Sequence, residues 1–181
     1  MKKILFGLVL LAIFGSFTAC EDPGDSGSLE ILTPVNPSRI SFKYQTVHTQ
    51  QYVGGTWTSN IEYPTVTIIF SRAELEQYYN DYEDLYDFSR HQHSQTGFID
   101  AIERYSDAFF ANSFLVLVLL EETSGSNRHR VERIDDNGDI RITCLVPELG
   151  TADMAQWHII IELDKAEKME QFQVVFSEER V

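Results

Sequence analysis

Hydrophobic residues along this chain follow three patterns, and each predicts a different kind of element. The most concentrated is Phe114–Leu120, FLVLVLL, which runs into Glu121-Glu122 and a Ser124-Gly125-Ser126 turn. Seven residues are too few for a helix that buries itself, whereas a strand covered on both faces carries an apolar residue at every position. The run is therefore expected to be the central strand of a sheet. After it, RHRVERI (128–134), IRITCLVPE (140–148) and WHIIIEL (157–163) read as further strands laid beside it through short turns. One of those turns, Asp136-Asn137-Gly138-Asp139, has the Asn-Gly chemistry of a tight hairpin and needs no ion. The second half is thus expected to be an antiparallel sheet.

The first half mixes the other two patterns. Ile40, Phe42 and Tyr44 alternate with Ser41, Lys43 and Gln45, a half-buried strand, with Gly54-Gly55 as a break farther on. Pro64–Phe70 predicts a second strand with Val66, Ile68 and Phe70 on one face. Ser71-Arg72-Ala73-Glu74 is then S-x-x-E before an apolar periodic stretch, so Ser71 is expected to cap a helix starting at Arg72 while Glu74 reaches back to it. Leu75, Tyr78, Tyr79 and Tyr82 share one face of that helix and read as packing rather than a ligand platform. Phe98, Ile102, Tyr105 and Phe109 recur at helical spacing from Gly97 and predict a second amphipathic helix. Two helices ahead of a run of strands, with no βαβ alternation, imply an α+β fold: an antiparallel β-sheet with two helices packed on one face.

Ahead of this domain stands an address. Lys2 and Lys3 precede the apolar run Ile4–Phe14, which is too short to span a bilayer, and Ser16-Phe17-Thr18-Ala19 leads directly into Cys20. Charged start, apolar run and small residues before a cysteine resemble the lipobox of bacterial lipoproteins, with Phe17 where an aliphatic residue is usual. The resemblance implies a signal peptide over 1–19, acylation of Cys20, and an extracytoplasmic domain held to the bacterial cell membrane by the Cys20 acyl anchor. Residues 20–38 are rich in Gly, Pro, Ser and acid and read as a lipidated flexible tether. Residues 39–181 form the single globular domain.

Acylation of Cys20 leaves Cys144 as the one free thiol, so the domain is expected to stand without a disulfide, with Cys144 a buried, inert thiol in a strand. Loss of Lys2 and Lys3 takes the formal net charge from −14 to −16. A surface this negative repels nucleic acid and anionic headgroups, so no nucleic-acid partner is expected. Within the acidic background RHRVER is the one local concentration of positive charge. Arg128, Arg130 and Glu132 are expected on one side of a strand and His129, Val131 and Arg133 on the other. Either the cluster receives an acidic partner, or it pairs across strands with acids such as Glu162. The small polar residues Ser124, Gly125 and Ser126 follow the most rigid strand, so together with Arg128 and Arg130 they are the candidate binding surface for an envelope protein. His91-Gln92-His93 is the most metal-like pair, but no third ligand is identifiable nearby, and it reads as a polar loop. The acids of 81–87 lack the glycine and closing glutamate of a calcium loop. No cofactor or metal site is expected.

From about Val66 to Phe176 the order of elements resembles the PrcB-like C-terminal domain of bacterial envelope proteins. The likeness lies in a strand, an S-x-x-E-L helix, the aromatic pair Phe109-Phe110, a buried strand closing on acids, a Ser/Gly turn, and strands ending near Val146-Pro147-Glu148 and Trp157–Leu163. Ser124-Gly125-Ser126-Asn127 stands where that family has a paired glycine and an aromatic. The resemblance implies a non-catalytic accessory to a surface protease complex. Two functions follow as expectations. One is a membrane-anchored, non-catalytic binding or accessory module of the envelope. The other is an envelope hydrolase acting on carbohydrate or peptide through Glu121 or Glu122; adjacent strand residues point to opposite faces, so those two cannot serve one site.

Overall fold

The computed structural model describes residues 31–33, 40–51, 61–89, 96–167 and 169–181. The expected signal peptide, Cys20, most of the expected tether and the His91/His93 pair lie outside them. Five antiparallel strands form the main sheet: β1 (Phe42–Gln51), β2 (Thr65–Ile69), β3 (Tyr86–Asp87), β4 (Ser113–Glu122) and β7 (Ala155–Asp164), in the order β2-β4-β7-β1-β3. A second sheet holds β5 (Arg128–Ile134), β6 (Asp139–Val146) and β8 (Gln173–Arg180), in the order β5-β6-β8. Three helices are described: α1 (Arg72–Tyr82), α2 (Phe98–Glu103) and α3 (Asp107–Asn112).

The FLVLVLL run is β4 and is buried at every position from Phe114 to Leu120. It is not the central strand. That place belongs to β7, where AQWHIII is equally buried, with β4 and β1 on its two sides. Two neighbouring strands with apolar residues on both faces require a cover on each face, because exposing either row forfeits the free energy of its burial. The helices supply one cover. Leu75, Tyr78, Phe98, Ile102, Tyr105 and Phe110 pack on Leu115, Leu117, Leu119, Ile160 and Val47. The second sheet supplies the other, with Val131, Ile134, Ile140 and Ile142 on Val116, Val118, Leu120, Trp157 and Ile159. The expected α+β fold with helices on one face therefore stands in outline. Three details differ: β5 and β6 lie across the main sheet rather than in it, β8 runs parallel to β6, and the layers number three.

Local chemistry explains most boundaries. Ser71 Oγ accepts the Glu74 N–H at 3.2 Å, the expected cap, but the Glu74 carboxylate accepts the N–H of Phe70 at 2.7 Å rather than that of Ser71. The helix expected from Gly97 breaks at Arg104–Ser106 into α2 and α3, and there the Ile102 and Tyr105 carbonyls accept the Arg72 guanidinium at 3.1 and 3.3 Å. The hairpin 135–139 turns at Gly138, φ +89°, the left-handed region that glycine enters without steric cost. In β5 a register shift between Val131 and Arg133 turns Ile134 into the core and leaves Arg133 exposed, so Arg133 does not share the buried side of Val131. Leu32, within the expected tether, exchanges backbone hydrogen bonds with Tyr44 at 2.8 and 3.2 Å and packs on the inter-sheet core. Contacts with the domain thus begin before residue 39.

Candidate functional site

At the end of β4 the alternation of side chains separates two adjacent acids. Glu121 turns to the helix side and accepts from Gln156 Nε2 at 2.8 Å. Glu122 enters the space between the sheets and meets side chains from two strands of the second sheet. His129 Nε2 lies 2.7 Å from Glu122 Oε1, Asn127 Nδ2 donates to Oε2 at 2.8 Å, and the Cys144 thiol lies beside the same carboxylate. His129 on β5 and Cys144 on β6 are direct register partners. One oxygen, one nitrogen and one sulfur from Glu122, His129 and Cys144 therefore lie within 4.8 Å of one another.

Glu122 and Cys144 of this cluster form part of the floor of a cleft of about 330 Å³ at the open edge of the sandwich, with His129 buried behind them. Tyr63 and Pro64, just before β2, form one lip; Phe176 and Glu178 on β8 form the other; Glu122 and Cys144 lie between. Among the described residues β2 and β8 each have one strand neighbour, so the cleft is flanked by two unpaired strand edges. Phe176 is 45% exposed there.

Electrostatics argue against nucleophilic chemistry by the thiol. Burial pushes the Cys144 thiol up to about 12, and the neighbouring Glu122 carboxylate adds to the rise. Burial also acts to raise Glu122, but the hydrogen bonds from His129 and Asn127 outweigh it and hold the carboxyl below its ordinary value. The His129 Nε2 is engaged with Glu122 Oε1, whereas an activated cysteine needs the imidazole hydrogen-bonded to its sulfur. Cys144 is thus buried and protonated, as expected. Beside the cluster, His129 Nδ1, Asn127 Oδ1 and Trp157 Nε1 are buried and have no hydrogen-bond partner among the described residues. Each such group typically costs about 1–3 kcal/mol.

The candidate binding residues of the hairpin are engaged internally. Ser124 and Ser126 hydroxyls bond to Thr151 Oγ1 at 3.2 and 3.1 Å, and the Gly125 N–H donates to the Asp153 carbonyl at 3.0 Å. Arg128 donates to the Gly125 and Asn127 carbonyls at 2.9 and 2.8 Å and lies over the Trp157 ring. Arg130 pairs with Glu132 at 2.6 Å and Glu179 at 2.7 Å. None of these pairs involves Glu162, which instead meets Arg104 and Tyr105 on the helix side. The positive charge legible in the sequence is largely matched within the second sheet.

A second buried polar group went unnoticed in the sequence. His158 in WHIIIEL is fully buried on the helix side, with Thr49 Oγ1 2.8 Å from Nδ1 and Tyr78 Oη 2.9 Å from Nε2. The rings of Tyr78, Tyr86, Phe88 and Phe98 surround it at 4.8–5.9 Å. Burial pushes its pKa down to about 3. The group lies wholly inside the core beneath the helices. No family model, curated protein or solved structure matches the chain.

Proposed function

We propose that this protein is a membrane-anchored, non-catalytic binding module of the bacterial cell envelope, whose cleft between β2 and β8 takes an extended segment of an envelope protein. The anchoring part rests on the lipobox-like Ser16–Cys20. The observation that carries the binding part is the pair of unpaired strand edges beside the exposed Phe176. An extended chain laid along β8 gains main-chain hydrogen bonds from that edge and an apolar contact from Phe176. Glu122 and Glu178 line the cleft, so the segment it favours carries lysine or arginine. An accessory role beside a surface protease complex is the form of this reading that the PrcB-like order of elements suggests.

The hydrolase alternative requires a carboxyl group that keeps its proton near neutral pH. Glu122 is held below the ordinary carboxylate range, and Glu121 turns to the other face of the sheet. The test is site-directed crosslinking. A photoreactive residue replacing Phe176 should capture a discrete envelope protein, and one replacing the exposed Gln77 on α1 should not. Capture should fall when Glu178→Lys reverses a charge in the cleft. Equal capture from both positions, or none from position 176, refutes the cleft as the binding site.

A further inference from the structure

Glu122, His129 and Cys144 converge from three strands although they stand far apart in the sequence. Thiolate, imidazole and carboxylate are the donor set of zinc-class ions; calcium and magnesium prefer oxygen alone. We propose that Glu122, His129 and Cys144 form a three-ligand site for a zinc-class divalent cation, with its fourth position open to the cleft between β2 and β8. The inference goes beyond the polypeptide-binding reading, and crosslinking at position 176 succeeds or fails without the cation.

The geometry requires little rearrangement. Around a tetrahedral cation with bonds of about 2.0–2.3 Å, ligand atoms stand roughly 3.3–3.6 Å apart. All three donor atoms already lie within 4.8 Å of one another, and Glu122 Oε1 and His129 Nε2, at 2.7 Å, must part slightly. Glu122 has room to withdraw, because its side chain is 16% exposed and faces the cleft. The His129 side chain is fully buried, which fixes the ring where a ligand must be held. Charge also balances once the cation displaces the Cys144 proton to solvent: a dication with one carboxylate, one thiolate and a neutral imidazole is formally neutral, the combination that lowers the cost of burying an ion. The open position would face a substrate or partner group in the cleft, such as a carboxylate or an imidazole.

The test uses the full chain carrying Cys20→Ser, so that Cys144 is its one thiol, stripped with a chelator and titrated with zinc and cobalt. One zinc per chain should bind and raise the melting temperature, while calcium and magnesium should not. Cobalt should produce a thiolate charge-transfer band in the near ultraviolet. X-ray absorption of the zinc form should show one sulfur neighbour at about 2.3 Å. Cys144→Ser should abolish the cobalt band, and Glu122→Gln should weaken zinc binding by at least about tenfold. His91→Ala with His93→Ala should leave all of these unchanged. Absence of a charge-transfer band and of a sulfur neighbour in the otherwise native chain overturns the proposal. So does loss of zinc binding in the His91/His93 variant.

Discussion

His158 should make this fold sensitive to acid well above the range in which ordinary carboxylates titrate. The ring fits its site only when neutral. Thr49 Oγ1 lies 3.4 Å from the Gln156 carbonyl and donates to it, so Thr49 accepts the His158 Nδ1–H while Nε2 accepts the hydroxyl proton of Tyr78. Protonating Nε2 would set two donors against each other inside a ring of aromatic side chains. In the folded protein the pKa is about 3, against an ordinary value of 6.5. The folded value is the lower one, so the unfolded chain binds more protons between those limits and stability falls as pH falls. The contribution is fully present above about pH 6.5 and declines until about pH 3. At 1.36 kcal/mol per unit, the loss reaches about 2 kcal/mol at pH 5 and about 3 kcal/mol at pH 4. Urea unfolding of the native protein and of His158→Gln, each at pH about 7 and 5, isolates the effect, because other titrating groups are common to both and cancel in the difference. The glutamine variant should be less stable at pH 7 yet lose about 2 kcal/mol less on acidification. Equal losses in the two proteins would refute the reasoning.

Other expectations are simpler to test. Leu117 is buried on β4 against the helices, so Leu117→Ala should cost roughly 2–5 kcal/mol in urea unfolding; a loss below about 0.5 kcal/mol would mean that β4 is misplaced. Gly138→Ala places a Cβ against the Gln171 carbonyl oxygen at a backbone φ of +89°, so it should destabilise by about 1–3 kcal/mol in the same assay, more than an alanine elsewhere in the turn. Cys20→Ser should yield an uncleaved or freely soluble form on fractionation. Recovery of that variant in the membrane at the mature mass would overturn the lipoprotein reading.

What the sequence determined by itself is whatever depends on neighbours along the chain. The S-x-x-E cap at Ser71, the tight turn at Gly138 and the burial of Phe114–Leu120 on both faces were all legible, because a cap, a turn and an unbroken apolar run each involve residues only a few positions apart. Even there, Glu74 bonds one residue farther back than the motif implies, and the bulge in β5 interrupts the alternation that put Arg133 on the same side as His129 and Val131. Strand order belongs to the tertiary structure. A doubly buried strand must be interior, but β4 and β7 satisfy that equally well, and only pairing put β7 in the middle. The second sheet follows from a requirement that no local window contains: the face of the main sheet left bare by the helices had to be covered, and β5, β6 and the largely exposed β8 cover it. The candidate site is the extreme case. Glu122, His129 and Cys144 each look ordinary in sequence, an acid at a strand end, one residue of a basic cluster and a thiol in a strand. The fold of β5 and β6 across β4 brings them within 4.8 Å, and the same fold gives Arg128 and Arg130 internal partners.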